Sequence, residues 1–550
     1  MKNIKNLLLL LFIMISANTL KAQSFYRIDD YCFGTTKEER LSKLIRIGSK
    51  YYLVGISNSK KSEWDKSENN CDTIHSIFNS WIISCDSSFN KIWDKTYGGR
   101  LSLFVSDAIP YKQGLLICGS TSSDSSCTNY TNGKGAPVNN DFILYYLDTM
   151  GNKIDEKRIG SDGYEQDCKL IETSDKGILL EGISDGNASF DKSQNSWGLM
   201  DYMVIKLDSL GNKQWDISLG GNDNENVIGG LTPLEGNNYL IYGTTYSSIS
   251  GYVSSNPFGS FDGWLVKIDS TGSKVWDKRY GGTGEDRINK VLKIGDYFYI
   301  LGISGSIPTA IGTTTHPGFG GGDIWLMKTD TNGNLLWETK YGSSLADWGV
   351  DMIPNNNGGI FILGDINTAA SGSFPSVNYG SDDFVIMNVD SAGNLLTYKI
   401  LGAAYPDKPS GMHAINDSTL LLYGSSLVGT SDVKTCAGHL APPPANNAFN
   451  TDYWVIKVGY GTTTTSVNQL QNNLALTVRP NPAKNHIDIS GLPPAAYTIN
   501  TFSLDGRLVM SNIIASDLSL PLSIESLQSG MYLSNIINEK INTTVRWVKE

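Results

Sequence analysis

Asp262-Gly-Trp-Leu-Val-Lys-Ile-Asp269-Ser-Thr-Gly272-Ser-Lys-Val-Trp276-Asp-Lys-Arg-Tyr280-Gly281-Gly282 is the stretch on which the reading of this chain turns. Versions of it open at Asp141, Asp201, Asp323, Asp383 and Asp452, with Ser80 opening the earliest copy. The openings lie 61, 60, 61, 61, 60 and 69 residues apart, and a fixed period of this size marks a repeat architecture. Each repeat holds four β-patterned stretches. In the fifth they are Asp286 to Ile294, Asp296 to Ser304, Asp323 to Asp330 and Leu335 to Gly342. Dense aromatic and branched residues punctuated by glycine read as strands. The link Asp330-Thr-Asn-Gly333-Asn reads as a hairpin turn, its Asp bonding the turn backbone and its Gly accepting positive φ.

Second-strand candidates begin at Tyr51, Leu115, Ile178, Tyr239, Tyr297, Ile360 and Leu420, which makes seven. Third strands also number seven, the last being Asp452 to Val458, but only six are followed by a fourth. The missing fourth lies at the other end: Phe25-Tyr-Arg-Ile-Asp-Asp-Tyr-Cys-Phe-Gly34 matches the Trp-Asp-Lys-x-Tyr-Gly segment and has no third strand before it. If that strand completes the final sheet, no backbone edge is left open. The expected fold is all-β: a seven-bladed β-propeller over residues 24–460, closed by an N-terminal strand.

Bulk properties set the compartment and exclude some partners. A net charge of −11 argues against nucleic acid, which needs a basic footprint. Lys2 and Lys5 precede the apolar run Leu7 to Ile15, and Ala22-Gln23 follows; this pattern predicts a signal peptide over residues 1–22. No segment reaches the 18 or so continuous apolar residues of a membrane span. The seven cysteines contain no Cys-x-x-Cys pair, so a thiolate zinc site is not expected.

Two resemblances follow from these residues. Asp-Trp/Phe/Tyr-x-x-x-Lys-x-Asp-Ser-x-Gly, then Trp, Tyr-Gly-Gly and an acid five residues on, resembles the seven-bladed propeller repeats of secreted bacterial proteins. After a linker at 461–473, residues 474–550 carry Arg479-Pro-Asn-Pro482, Asp505-Gly506, Gly530-Met-Tyr532 and a terminal Val545-Arg-Trp-Val-Lys-Glu550. This segment reads as a small β-sandwich and resembles the C-terminal (type A) sorting domain of the type IX secretion system of Bacteroidota. The resemblance implies secretion or attachment at the outer-membrane surface, with the secretion machinery as partner.

Counting five residues from the first Gly after each fourth strand gives Glu39, Leu103, Glu165, Glu225, Asp286, Asp347 and Asp407. Six carboxylates related by the ring could gather at one mouth of the channel and hold a cation, calcium being the candidate. The same residues could instead cap the loops between blades. Repeated Asp-x-x-Gly-x-x-x-Trp, as at Asp269/Trp276, resembles the tryptophan-docking motif of quinoprotein propellers in its packing only; no cofactor is expected. Gly182-Ile-Ser184-Asp-Gly186 matches a nucleophile elbow, but Gly-Ile-Ser recurs at Gly55 and Gly302 as a strand end. His75, His316, His413, His439 and His486 share no ligand spacing.

The loops between second and third strands (58–79, 121–140, 185–199, 245–260, 305–321, 366–381 and 426–450) are the longest and least alike, as expected of binding loops on a rigid scaffold. Cys71, Cys127 and Cys436 fall in them, on blades that neighbour one another once the ring closes, and a disulfide among these three is expected. The function expected is a monomeric, non-enzymatic propeller that binds an extracellular glycan or protein. A hydrolase or lyase with a site in the channel, and a structural surface component, remain alternatives.

Overall fold

The second and third strands of each repeat are near-continuous apolar runs buried on both faces, so each packs one face against each of two neighbouring layers. The computed structural model describes residues 23–35, 37–61, 64–70, 77–122, 139–226, 228–309, 312–367, 371–375, 379–427, 431, 434–436, 451–462, 477–490, 497–503, 508–514, 522–537 and 542–550. The signal peptide expected at 1–22 and most of the linker lie outside them. Two compact units divide the chain, 1–462 and 463–550.

Among the described residues of the first unit, seven four-stranded antiparallel sheets follow one another, with strands A to D running from the axis outward. Their A strands begin at Glu39, Leu103, Glu165, Ile228, Asp286, Asp347 and Asp407, which number sheets 1 to 7. Each A strand packs against the next, and that of sheet 7 against that of sheet 1. Seven hydrophobic clusters form the core, each shared by two neighbouring sheets.

Closure is as the strand count requires. Gln23–Phe33 is the D strand of sheet 7 and pairs antiparallel with Thr451–Thr462, setting Phe33 opposite Tyr453 and Gln23 opposite Thr462. Two details differ from expectation. The earliest third strand opens at Asn79 rather than Ser80: Asn79 Oδ1 lies against Gly98, as Asp Oδ1 lies against the equivalent glycine elsewhere, and an amide masked the match. Cys436 pairs with Cys32 of the closing strand, while Cys71 and Cys127 lie outside the described residues. Asp30 accepts hydrogen bonds from the Thr435 and Cys436 N–H groups at 3.0 and 3.2 Å, and that anchor brings the loop cysteine to the strand.

The docking reading of the tryptophans holds. In six C–D turns an Asp (86, 148, 208, 269, 330 or 390) accepts N–H bonds from the residues two and four further on, at 2.8–3.0 Å. The third turn residue has φ between 61° and 87°, which glycine adopts without strain. The preceding sheet's Trp lies over that glycine: Trp93 on Gly151, Trp215 on Gly272, Trp276 on Gly333, Trp337 on Gly393. Tyr280 and Tyr341 donate to the carbonyls of Gly333 and Gly393, both at 2.7 Å. In the first turn Phe89 takes the position instead, and its ring stacks between Tyr31 and Tyr51 at 4.4 and 4.8 Å.

The second unit contains a three-stranded and a four-stranded sheet. Ala483, Ile487, Ile524, Tyr532 and Trp547 are buried together, and the Trp547 indole N–H donates to Ser534 at 2.9 Å.

The Cys32–Cys436 bond spans 404 residues, so it removes a large share of unfolded-chain freedom. Cys32→Ser is expected to lower stability by about 2–4 kcal/mol in urea unfolding. Reductant should bring the natural protein to the same midpoint and leave the variant unmoved.

Candidate functional site

The B–C loops and the D–A links emerge on one face, where the A strands begin. Three sets of buried charges build that face. The first is the acid series. Glu39, Glu165, Glu225, Asp286, Asp347 and Asp407 are all fully buried. Each accepts the backbone N–H of the residue four before it, at 2.6–3.1 Å. Hydroxyls occupy further lone pairs: Ser57 and Ser59 donate to Glu39 at 2.9 Å, Ser184 to Glu165 at 2.7 Å, and Ser306 to Asp286 at 2.6 Å. These carboxyls close the links between sheets rather than facing the channel. Among the described residues, no group of three His, Cys, Asp or Glu side chains is placed to hold a metal ion. The Ser184 hydroxyl of the elbow-like motif is thus committed to Glu165, at the end of a B strand.

The second set is the opening residue of each C strand. Asp201, Asp262, Asp323 and Asp383 accept the N–H of the residue four before, from Trp197, Phe258, Phe319 and Tyr379. Each lies beside the next acid of the first series. A Cβ on Gly220 would meet Asp201 Oδ1 at 2.0 Å and Glu225 Oε2 at 2.6 Å. One on Gly281 would meet Asp262 at 2.4 Å and Asp286 at 2.7 Å. The recurring first glycine of Tyr-Gly-Gly is there because two carboxyls crowd its Cα. Burial, opposed by the hydroxyl donors and reinforced by the neighbouring Asp, pushes Glu39, Glu165 and Asp407 up to about 7. Asp347 rises to about 6. The pattern breaks at one junction, where Asn79 of sheet 1 and Leu103 of sheet 2 take the two positions.

The third set supplies cations, one in each of six sheets. Sheets 1, 3 and 7 place a buried B–C loop lysine there: Lys66, Lys192 and Lys434. Sheets 2, 4 and 5 use Arg158, Arg279 and Lys340 of the D strand. The Arg279 guanidinium meets Asp262 at 2.9 Å. Sheet 6 has Phe374 and Ile400 at these places, and there burial, without a cation, raises Asp383 to about 6.

Outer carboxylates pin the loops. Asp94, Asp216, Asp277, Glu338 and Asp30 accept N–H bonds from Ser67, Ser193, Ser254, Thr315 and Thr435 at 2.6–3.0 Å. In four sheets the same carboxylate accepts the indole N–H of the C-strand tryptophan: Trp81, Trp264, Trp325 and Trp454, at 2.6–3.1 Å. His316 lies on one such anchor, its Nδ1 3.1 Å from Glu338. His75 and His439 lie outside the described residues.

What these frames present is aromatic. Trp197, Phe258, Phe319 and Tyr379 hold equivalent places on sheets 3 to 6, with Trp197 54% and Phe319 45% exposed. Trp197 rests on Gly251 and Phe319 on Gly372 of the following sheet. At the channel mouth the Arg287 guanidinium lies 5.0 Å from the Phe261 ring centroid and 5.2 Å from that of Trp348. A cavity of about 810 Å³ adjoins it on sheets 6, 7 and 1, lined by Arg40, Asp382 and Lys408 among others. Lys408 meets Asp365 and Asp382, both at 3.0 Å. Sequence reasoning missed the aromatic arc, although its spacing of four before each opening Asp was open to the same counting.

A closed ring of radially ordered four-stranded sheets is a β-propeller. Residues 477–550 match the family model described as a secretion system C-terminal sorting domain. The C-terminal segment is a type IX sorting domain, and the protein is secreted, released or attached at the cell surface. Regulatory protein FlaEY of Caulobacter vibrioides is 25% identical over 237 residues, which cover 41% of this chain and 23% of that protein. The chain thus spans about a quarter of that relative's length. Among solved structures, a protein of unknown function from Dyadobacter fermentans aligns with a TM-score of 0.38 and 10% identity, covering 79% of this chain and 99% of that one. The Neurospora crassa Pan2 WD40 domain aligns at 0.39 and 8%, covering 79% and 96%.

Glu165 carries the pH prediction. Its native carboxyl keeps its proton to about 7, while the unfolded chain releases it near 4.3. The native state therefore holds more protons between these values, and stability falls as pH rises through that window. Glu165→Gln, fixed neutral, should gain on the natural protein in melting temperature between pH 4.5 and 7.5. Glu165→Ala, leaving the Ser161 N–H unbonded, should lose about 1–3 kcal/mol at pH 4.5, a loss that shrinks as pH rises through the window because the variant has no carboxyl to ionise.

Proposed function

We propose that this protein is an exported, non-enzymatic β-propeller that binds an extracellular glycan across its B–C loop face. The observation that carries this reading is the arc of Trp197, Phe258, Phe319 and Tyr379 on four consecutive sheets. Flat apolar faces on a rigid frame suit the apolar faces of sugar rings, and little side-chain freedom is lost on binding. Arg287, Lys408 and Asp382 at the mouth supply polar groups for hydroxyls or acidic sugars. The titratable groups of this face also favour binding over catalysis, because they repeat from sheet to sheet and are spent on loop closure. Export begins, in this reading, with the signal peptide at 1–22 and ends through the sorting domain.

Glycan-array screening of the secreted protein, followed by affinity measurement on the best hit, tests this. Trp197→Ala with Phe319→Ala should weaken binding by about tenfold or more, the order of a lost aromatic contact or two, with the melting temperature held. A hit whose affinity is indifferent to both changes would overturn the reading.

A further inference from the structure

Four residues beyond each acid-series position, the A strands set Lys43, Asp107, Lys169, Gly229, Lys290, Asp351 and Gly411 around the axis. In sheets 4 and 7, where glycine stands, a B-strand tyrosine takes the space. A bulge at Gly229 sets Tyr242 opposite the next residue, Gly230, and Tyr423 lies opposite Gly411 in register; the Tyr423 hydroxyl would be 2.3 Å from a Cβ on Gly411. Together these side chains line a cavity of about 250 Å³ on the ring axis.

Its charges do not cancel. Lys43 pairs with Asp107 at 3.0 Å and Lys290 with Asp351 at 3.2 Å. Both lysines are about a third exposed, at 35% and 34%, toward the channel. Their pKa values are raised, chiefly by those carboxylates, so both stay charged. Burial works to raise Asp107, but Lys43 and Lys169 hold it below its usual range and ionised. Lys169 is the third ammonium. It donates to the Ser106 carbonyl at 3.2 Å and forms no ion pair among the described residues. Its register partner Glu181 does not neutralise it. That carboxyl is fully buried outside the cavity lining, and neither of its oxygens has a hydrogen-bond partner among the described residues; burial pushes its pKa far upward.

We propose that this axial cavity binds one compact tetrahedral oxyanion, free phosphate or sulfate, with Lys169 as its principal ligand. Three ammonium groups stand against two carboxylates; Asn289, Ser42 and Ser410 line the same space, each donating to a carbonyl of a neighbouring sheet, Gly349, Val105 and Leu41 respectively. Charge-assisted bonds to an oxyanion in such a confined site are stronger than their counterparts on an open surface. The inference does not depend on the glycan reading, since the axial cavity shares no residue with the aromatic arc and only Ser42 and Ser410 with the cavity at the mouth.

Isothermal titration of the folded protein with inorganic phosphate, against sodium chloride at equal ionic strength, tests it. One saturable site is expected. Lys169→Gln should weaken it at least about tenfold, the order of one lost charge-assisted bond, and Lys169→Arg should retain it. Asp351→Asn, by freeing Lys290, should tighten it. Heats equal to the chloride blank, undiminished binding by Lys169→Gln, or weaker binding by Asp351→Asn would each overturn the assignment. If Lys169→Gln fails to fold, the other two variants decide.

Discussion

Antiparallel pairing of Gln23–Phe33 with Thr451–Thr462 is the contact on which the first unit rests. Without it sheet 7 would have three strands and an unpaired edge, and such edges recruit other chains. The loss would spread inward. Phe25 belongs to the cluster shared by sheets 6 and 7, and Phe33 to the one shared by sheets 7 and 1. Asp30 and Cys32 tie the same strand to the last B–C loop, one by charge-assisted bonds and one covalently. Backbone pairing, side-chain anchoring and a cross-link thus converge on one seam.

Away from the seam, the ring is built from devices that vary together. Where an acid of the first series stands, an Asp stands beside it; where it becomes Leu103, the partner becomes Asn79. In six sheets either a loop lysine or a D-strand cation is present, so that a buried carboxylate is offset from one side or the other. A buried charge without such a partner costs several kcal/mol, and sheet 6 shows the response, with Asp383 shifted toward its neutral form. The loops gain their footing from these groups, leaving their outward residues free to differ.

The strand count and the sharing of the last sheet were legible because periodicity and alternation are properties of single strands. The acid series was legible as a spacing, but its direction was not. Whether Glu165 faces a channel or a backbone N–H depends on the turn four residues before it. The disulfide was misread for a related reason. Cys436 was placed on the right loop, yet its partner is chosen by the pairing register of Cys32 and by the Asp30 anchor, which spacing does not encode. Lys43, Lys169 and Lys290 escaped notice because no motif joins them; only the ring brings them to one level.

A ring whose final sheet takes three strands from one terminus of the unit and one from the other has a consequence for export. The circle cannot be completed until residue 462 has joined residue 23 on the same side of a membrane, so a partly delivered chain is an open arc with a sticky end. The thiols at 32 and 436, 404 residues apart in the chain, meet at that same point of closure.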